Sequence, residues 1–308
     1  MRSSSPTPLR VASIPLAPRH GDPMHNAMLV ASSLERAARA GVALAIFPER
    51  CLTGGDLANA RTARRGAPDT VVETSDSPAF RTVRDAVAQT GVAAGVGLIE
   101  RAADGRLFNS YAICLPDGQR HWQRQALSRD GRHARHGGEI AAFDTHWGTR
   151  IGVLIGRDND LAENARTLAL MDAHLLIAPH LTPSPHPRDD GWLPRVLAAR
   201  ALENGFYVAF CDSADSENPS RIANAATIVD PSGQPIGIER DDMQGLLAAD
   251  VEPSRVAASA GRQRLAARRP ELSGRAASLP AAREPQRAAA RGSVPLSFAV
   301  VARTRIGR

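Results

Sequence analysis

The stretch "GVLIGRDNDLAENAR", from Gly152 to Arg166, reads as a buried strand, a sharp turn and a helix. Many hydrolases hold a nucleophile on such a turn, because it thrusts one side chain out of the sheet. Here the turn residue is Gly156, which has no side chain to offer. Covalent catalysis needs a nucleophilic group, so it would have to come from elsewhere in the chain. Cys114 and Cys211 lie inside separate strand candidates, far from the turn in sequence. Cys51 follows "FPER" by a single step; small cysteines of this kind more often pack as hydrophobes. His133 and His136 form an HxxH spacing with His146 nearby, in an arginine-rich stretch without further ligands, so no metal site is expected.

The elements that must carry these residues follow from periodicity and punctuation. Leu9 to Leu16 is a first strand. Asp22 and Pro23 open a helix, for which Met24, Met28, Ala31, Leu34 and Ala38 suggest an apolar face, and Gly41 ends it. "VALAIFP" follows as a buried strand. The same grammar recurs: Ser77 and Pro78 open a helix, Phe80, Val83 and Val87 form its stripe, Gly91 ends it, and "VAAGVGLI" follows. "LFNSYAICL" and "QRHWQRQAL" make a hairpin across "PDG". "EIAAFDT" and "RIGVLI" are strands joined at "HWGT". A helix over about Asp160 to Met171 leads into "AHLLIAP", and one over Trp192 to Asn204 leads into "FYVAFCD". "AATIVD", "PIGIE" and "GLLAAD" close the domain. Helix-then-buried-strand units occur twice, which predicts two sheets with helices on their outer faces.

The 308 residues suffice for one large domain, and 43% hydrophobic content is ordinary for a globular protein. No apolar run approaches the roughly 18 residues of a membrane span, and the N-terminal stretch lacks a signal peptide's apolar core. Three cysteines do not make a disulfide framework, so a reduced cytoplasmic protein without membrane contact is expected. The chain contains no lysine; all 38 basic residues are arginine. Twelve of them lie from Arg255 onward against only Glu271 and Glu284, so the high pI belongs to the C-terminal end. A basic tail can hold nucleic acid or an acidic partner. Here it lacks interleaved aromatic residues, which argues against nucleic acid.

Six segments, in order, resemble the nitrilase superfamily of carbon–nitrogen hydrolases over about Leu9 to Leu272: "LAIFPERCLTGG", "HWQRQAL", "WGTRIGVLIGRDNDLAENARTLALMDAHLLIAP", "RALENGFYVAF", "IVDPSGQPIG" and "RRPEL". The resemblance implies an α/β fold, a four-layer α–β–β–α sandwich. A domain over 9–272 would be followed by an Ala/Arg/Pro-rich tail over 273–308. It also implies chemistry by a Glu, a Lys and a Cys, with no metal or organic cofactor.

Residue by residue, Glu49 matches the family's general base. Arg124 falls at the lysine and Gly156 at the cysteine. Arg157 replaces an aromatic residue, and Asp130 aligns loosely with a second acid. The loop of His180 borders the family's pocket, and Trp192, which opens the next helix, is a further pocket candidate. Only Glu49 is retained of the three reactive groups. The resemblance therefore implies a non-hydrolytic protein with a binding or scaffolding role, in which Glu49 and Arg124 form a buried ion pair, with Arg157 reaching in, around a small-molecule or anionic ligand. One alternative is an active hydrolase of an unusual C–N compound, using Glu49 with an unconventional nucleophile such as Cys51. The other is a binder of nucleic acid or acidic partners through the tail. A homodimer or higher homo-oligomer is implied, paired through the helices at Asp160–Met171 and Trp192–Asn204.

Overall fold

A computed structural model describes residues 8–54, 76–127, 137–181, 192–214, 225–239 and 245–271. Strands β1 (Leu9–Ser13), β2 (Leu44–Ile46), β3 (Ala93–Arg101), β4 (Leu107–Cys114), β5 (Arg120–Arg124), β11 (Ile238–Glu239) and β12 (Leu247–Val251) form a seven-stranded sheet of order β11-β12-β1-β2-β3-β4-β5. Strands β6 (Ala142–Asp144), β7 (Arg150–Val153), β8 (Leu175–Pro179), β9 (Tyr207–Cys211) and β10 (Ala226–Val229) form a second, of order β10-β9-β8-β7-β6.

Each sheet is built on three parallel strands, β1-β2-β3 and β7-β8-β9. Parallel neighbours need a crossover, and helices supply it. Helices α1 (Pro23–Arg39) and α2 (Pro78–Thr90) join the first three strands; α3 (Ala162–Leu170) and α4 (Trp192–Asn204) join the second three. This is the repeat expected from the sequence. Three buried clusters separate the layers. One lies between α1, α2 and the first sheet, one between the two sheets around Tyr111, Ile151 and Tyr207, and one between the second sheet and α3 and α4. The result is a four-layer α–β–β–α sandwich.

Local chemistry sets the helix ends. The Asp22 carboxylate accepts the His25 N–H and the Ser77 hydroxyl accepts that of Phe80, each ahead of a proline at the first helical position. The face of α1 differs from expectation. Ala27, Val30, Leu34 and Ala37 are buried, while Met24 and Met28 are exposed. These four pack into the cluster shared with α2 and the first sheet, and the two methionines, placed about a third of a turn away, face outward.

Helices α5 (Pro253–Ala258) and α6 (Ala260–Ala266) were not expected from the sequence. They draw some of the C-terminal arginines into the fold. Arg255 pairs with buried Asp230 at 2.8 Å. Arg262 donates to the carbonyl oxygens of Ala169, at 2.6 Å, and Ala173 at the end of α3. Cations are favoured at a helix C-terminus, where carbonyl oxygens lack partners. The compact unit runs through Ala267, and a second unit begins at Arg268. In that unit Arg269 pairs with Glu271 at 2.7 Å. No helix among the described residues is long and apolar enough to cross a membrane.

Candidate functional site

Loops beyond the carboxyl ends of parallel strands are where open α/β sheets build sites. Glu49 lies just beyond β2, Gly156 beyond β7 and His180 beyond β8. The two sheets meet there through the backbone, where the Glu49 N–H donates to the His180 carbonyl at 3.2 Å; within the second sheet the His180 N–H donates to the Cys211 carbonyl at 2.8 Å.

The turn carrying Glu49 is held against β3 by a close approach. A methyl group on Gly97 would overlap the Arg50 nitrogen and stand 2.8 Å from the Glu49 carbonyl carbon, so only glycine lets the turn sit here. The Leu52 N–H fixes it with a 3.0 Å bond to the Gly97 carbonyl. Arg50 adopts φ 52°, unusual for a side-chain-bearing residue. This puts its Nε 3.4 Å from Glu49 Oε1.

Gly156 has φ 50°, so the sharp strand-to-helix turn is present. It opens a 3-10 turn over Gly156–Asp160. A β-carbon on Gly156 would stand 2.7 Å from Glu49 Oε2 and 3.2 Å from Gln125 Nε2. The carboxylate thus lies against the bare elbow, in the space a side chain would need. Glu49 is 5% exposed. Asn109 Nδ2 donates to Glu49 Oε1 at 2.6 Å and reaches Gln125 Oε1 at 3.1 Å, and Gln125 Nε2 donates to the Ile155 carbonyl at 2.9 Å.

Arg124 is not part of this cluster, which corrects the expected Glu49–Arg124 ion pair. Successive strand residues point to opposite faces. Arg124 pairs across from Ser110, and Trp122 from Ala112, which belongs to the cluster under α1 and α2. Arg124 therefore points to the helix-covered face. There its fork grips Glu100 at 2.8 and 2.5 Å, with its guanidinium 4.1 Å from the Phe108 ring centre. Burial alone would raise the Glu100 pKa, but bonds from Arg124 and Ser110 outweigh it and hold the carboxyl below its usual range. The next residue, Gln125, faces inward and takes the place expected of Arg124.

Arg157 also stays outside: it is exposed and pairs with Asp160 at 3.2 Å. His180 contributes its backbone to the site, and its half-buried ring lies 6.2 Å from that of Phe210. Trp192 begins α4, with its side chain outside the described residues, as are Asp130, His133 and His136. His146 is exposed, its ring centre 4.3 Å from that of Trp147. No group of three metal-ligating side chains occurs among the described residues.

Cys51 is unsuited to act as a nucleophile. It is fully buried in the outer cluster with its Sγ 3.7 Å from the Gly97 carbonyl, and burial pushes its thiol up to about 12. A thiol held that high carries almost no thiolate near neutrality. Cys114 is likewise pushed to about 12, and Cys211 well above its ordinary value.

Sequence reasoning missed Asp158. It is 1% exposed and accepts backbone N–H groups from Ala126 at 3.1 Å, Leu127 at 2.7 Å and Ile155 at 3.4 Å. One carboxylate thus ties the chain leaving β5 to the elbow after β7. Burial raises its pKa to about 6, with the Glu49 charge adding to the effect.

Residues 10–260 match the sequence profile of the carbon-nitrogen hydrolases. The chain belongs to the carbon-nitrogen hydrolase family. Similar family members include an (R)-stereoselective amidase from a Pseudomonas species, 26% identical over 253 residues that cover 81% of this chain and 88% of the amidase. A protein from Pseudomonas protegens described as a hydrolase in the pqqF 5' region is 28% identical over 237 residues, covering 74% of this chain and 79% of its own. The fold matches that of an amidase from a Nesterenkonia species with a TM-score of 0.68 at 19% identity, covering 89% of this chain and 98% of the amidase. The nitrilase-type architecture is thus shared with that amidase, and the elbow at Gly156 lies within residues 10–260.

Proposed function

We propose that this chain is a non-hydrolytic member of the carbon-nitrogen hydrolase family, acting as a small-molecule binding or scaffolding protein. The observation that carries the reading is the elbow itself. Its geometry is present, its residue is Gly156, and the Glu49 carboxylate rests where a nucleophile's side chain would stand. The three cysteines are all buried with raised thiol pKa values, and the chain contains no lysine to stabilise an oxyanion. Losing a nucleophile that acts as part of a catalytic unit costs roughly a millionfold in turnover. A cysteine-to-alanine variant of the Nesterenkonia amidase has been crystallised in complex with butyramide. That complex supports a ligand-holding role for a site without its thiol.

Purified protein should release no detectable product from a panel of amides, nitriles and carbamoyl compounds. Gly156→Cys should also stay inactive, because the thiol would meet Glu49 without a lysine beside it. Turnover that Glu49→Ala abolishes would overturn the reading. The same reading includes a cytoplasmic setting and self-association. Leu161, Leu170 and Met171 around α3, and Leu202 on α4, are exposed large apolar side chains. An apolar outer surface on these helices is suited to a second copy.

A further inference from the structure

His174 stands in the turn between α3 and β8, at the opposite end of the second sheet from the elbow. It ties together the starts of three parallel strands. Its N–H donates to the Arg150 carbonyl at 2.7 Å, its carbonyl accepts the Tyr207 N–H at 2.9 Å, and its ring Nδ1 accepts the Arg150 N–H at 3.1 Å. The last bond fixes the state of the ring. A backbone N–H can only donate, so Nδ1 must offer its lone pair and the proton of the neutral ring sits on Nε2. A second proton has only Nδ1 to go to. There it would turn the acceptor into a donor facing another donor.

The charges around the ring come from every element packed on it. Burial does most to lower the His174 pKa; Asp172 raises it, Arg262 and Arg150 lower it, Asp144 raises it, and the net direction is down from 6.5. The end of a helix ordinarily favours a cation, but Arg262 already occupies that place, donating to the carbonyl oxygens of Ala169 and Ala173 and lying 3.4 Å from Asp172. Arg262 belongs to α6, the last helix of the compact unit.

We propose that His174 is a proton-operated latch for α6. With Nδ1 protonated, the ring gives up the Arg150 N–H and turns away toward water. The turn whose carbonyl oxygens hold Arg262 then loosens, and α6 loosens with it. The sign follows from linkage: the latched ring binds a proton less tightly than a solvated imidazole, so the latch is closed above 6.5 and is released as pH falls below it.

The test is hydrogen exchange of the full chain between about pH 7.5 and about pH 4.5, read as protection against each amide's intrinsic rate. The amides of Arg150 and of α6 should lose roughly three- to tenfold in protection as pH falls, the effect of one ordinary hydrogen bond, while those of β2 and β3 keep theirs. His174→Asn puts an uncharged acceptor where Nδ1 stands, so it should keep the protection seen at high pH and flatten the profile. Should that variant not fold, 15N NMR of the wild-type ring should find Nδ1 without a proton at high pH and a titration below 6.5. Asp158 also titrates in this range, but it lies at the elbow and is retained in His174→Asn, so its effect persists in the variant. Protection of α6 that ignores pH, an equal loss in His174→Asn, or a ring that titrates at or above 6.5 would each overturn the latch.

Discussion

Glu49 is held by neighbours that need its charge. Arg50, on the adjacent residue, and Asn109, from β4, both address Oε1. Removing one partner of a buried pair leaves the other charge uncompensated, at a cost of about 3–5 kcal/mol. Glu49→Ala should therefore lower stability by about 3 kcal/mol in denaturant titrations, and Glu49→Gln by less, since an amide keeps an acceptor for Asn109. An unchanged midpoint for Glu49→Ala would show that the carboxylate is not part of a buried cluster. Arg124, by contrast, is a third exposed and bound to Glu100, so its loss should leave the Glu49 cluster intact.

At the scale of elements, the site depends on which face each strand residue takes and on how the chain leaves β5. The inward parity of Asn109 and Gln125 brings one amide to Glu49 and the other to Asn109 and the Ile155 carbonyl, and Asp158 clamps the next two residues to the elbow. Its carboxyl titrates near 6 when folded against an ordinary value of 3.8. The native state therefore binds the proton more tightly between these values. The sign follows: this group's stabilising contribution is present below the ordinary value and is lost as pH rises through about 6. Denaturant titrations from about pH 4.5 to about pH 7.5 should show Asp158→Asn gaining on the wild type as pH rises, by about 3 kcal/mol at most. A difference that stays flat across this range would mean that Asp158 does not titrate there.

For the molecule as a whole, four layers are stacked on three buried clusters, and the outermost apolar side chains of the second helical layer remain at the surface. Sedimentation at micromolar concentration should find a dimer or larger assembly, and charged substitutions at Leu170 and Met171 should shift it toward monomer. A monomeric wild type would rule out pairing through this face. At this scale the C-terminal arginines divide. Arg255 and Arg262 tie α5 and α6 to Asp230 and to the end of α3, so part of the basic charge is structural.

The repeated strand–helix grammar can be read from the residues alone, because capping residues, prolines and apolar runs act locally. Asp22, Ser77 and the alternation of helices with buried strands were legible for that reason. The glycine at the elbow and the absence of lysine stand in the sequence itself. What surrounds that glycine comes from the packed fold. The parity of β5 sends Arg124 outward and Gln125 inward, and it depends on pairing with β4 rather than on residue type. Asn109 and Asp158 gain their roles from contacts made across 60 and about 30 residues of chain. The buried face of α1 likewise fell to Ala27, Val30, Leu34 and Ala37, because the cluster shared with α2 and the first sheet, not hydrophobicity alone, selects which side of the helix turns inward.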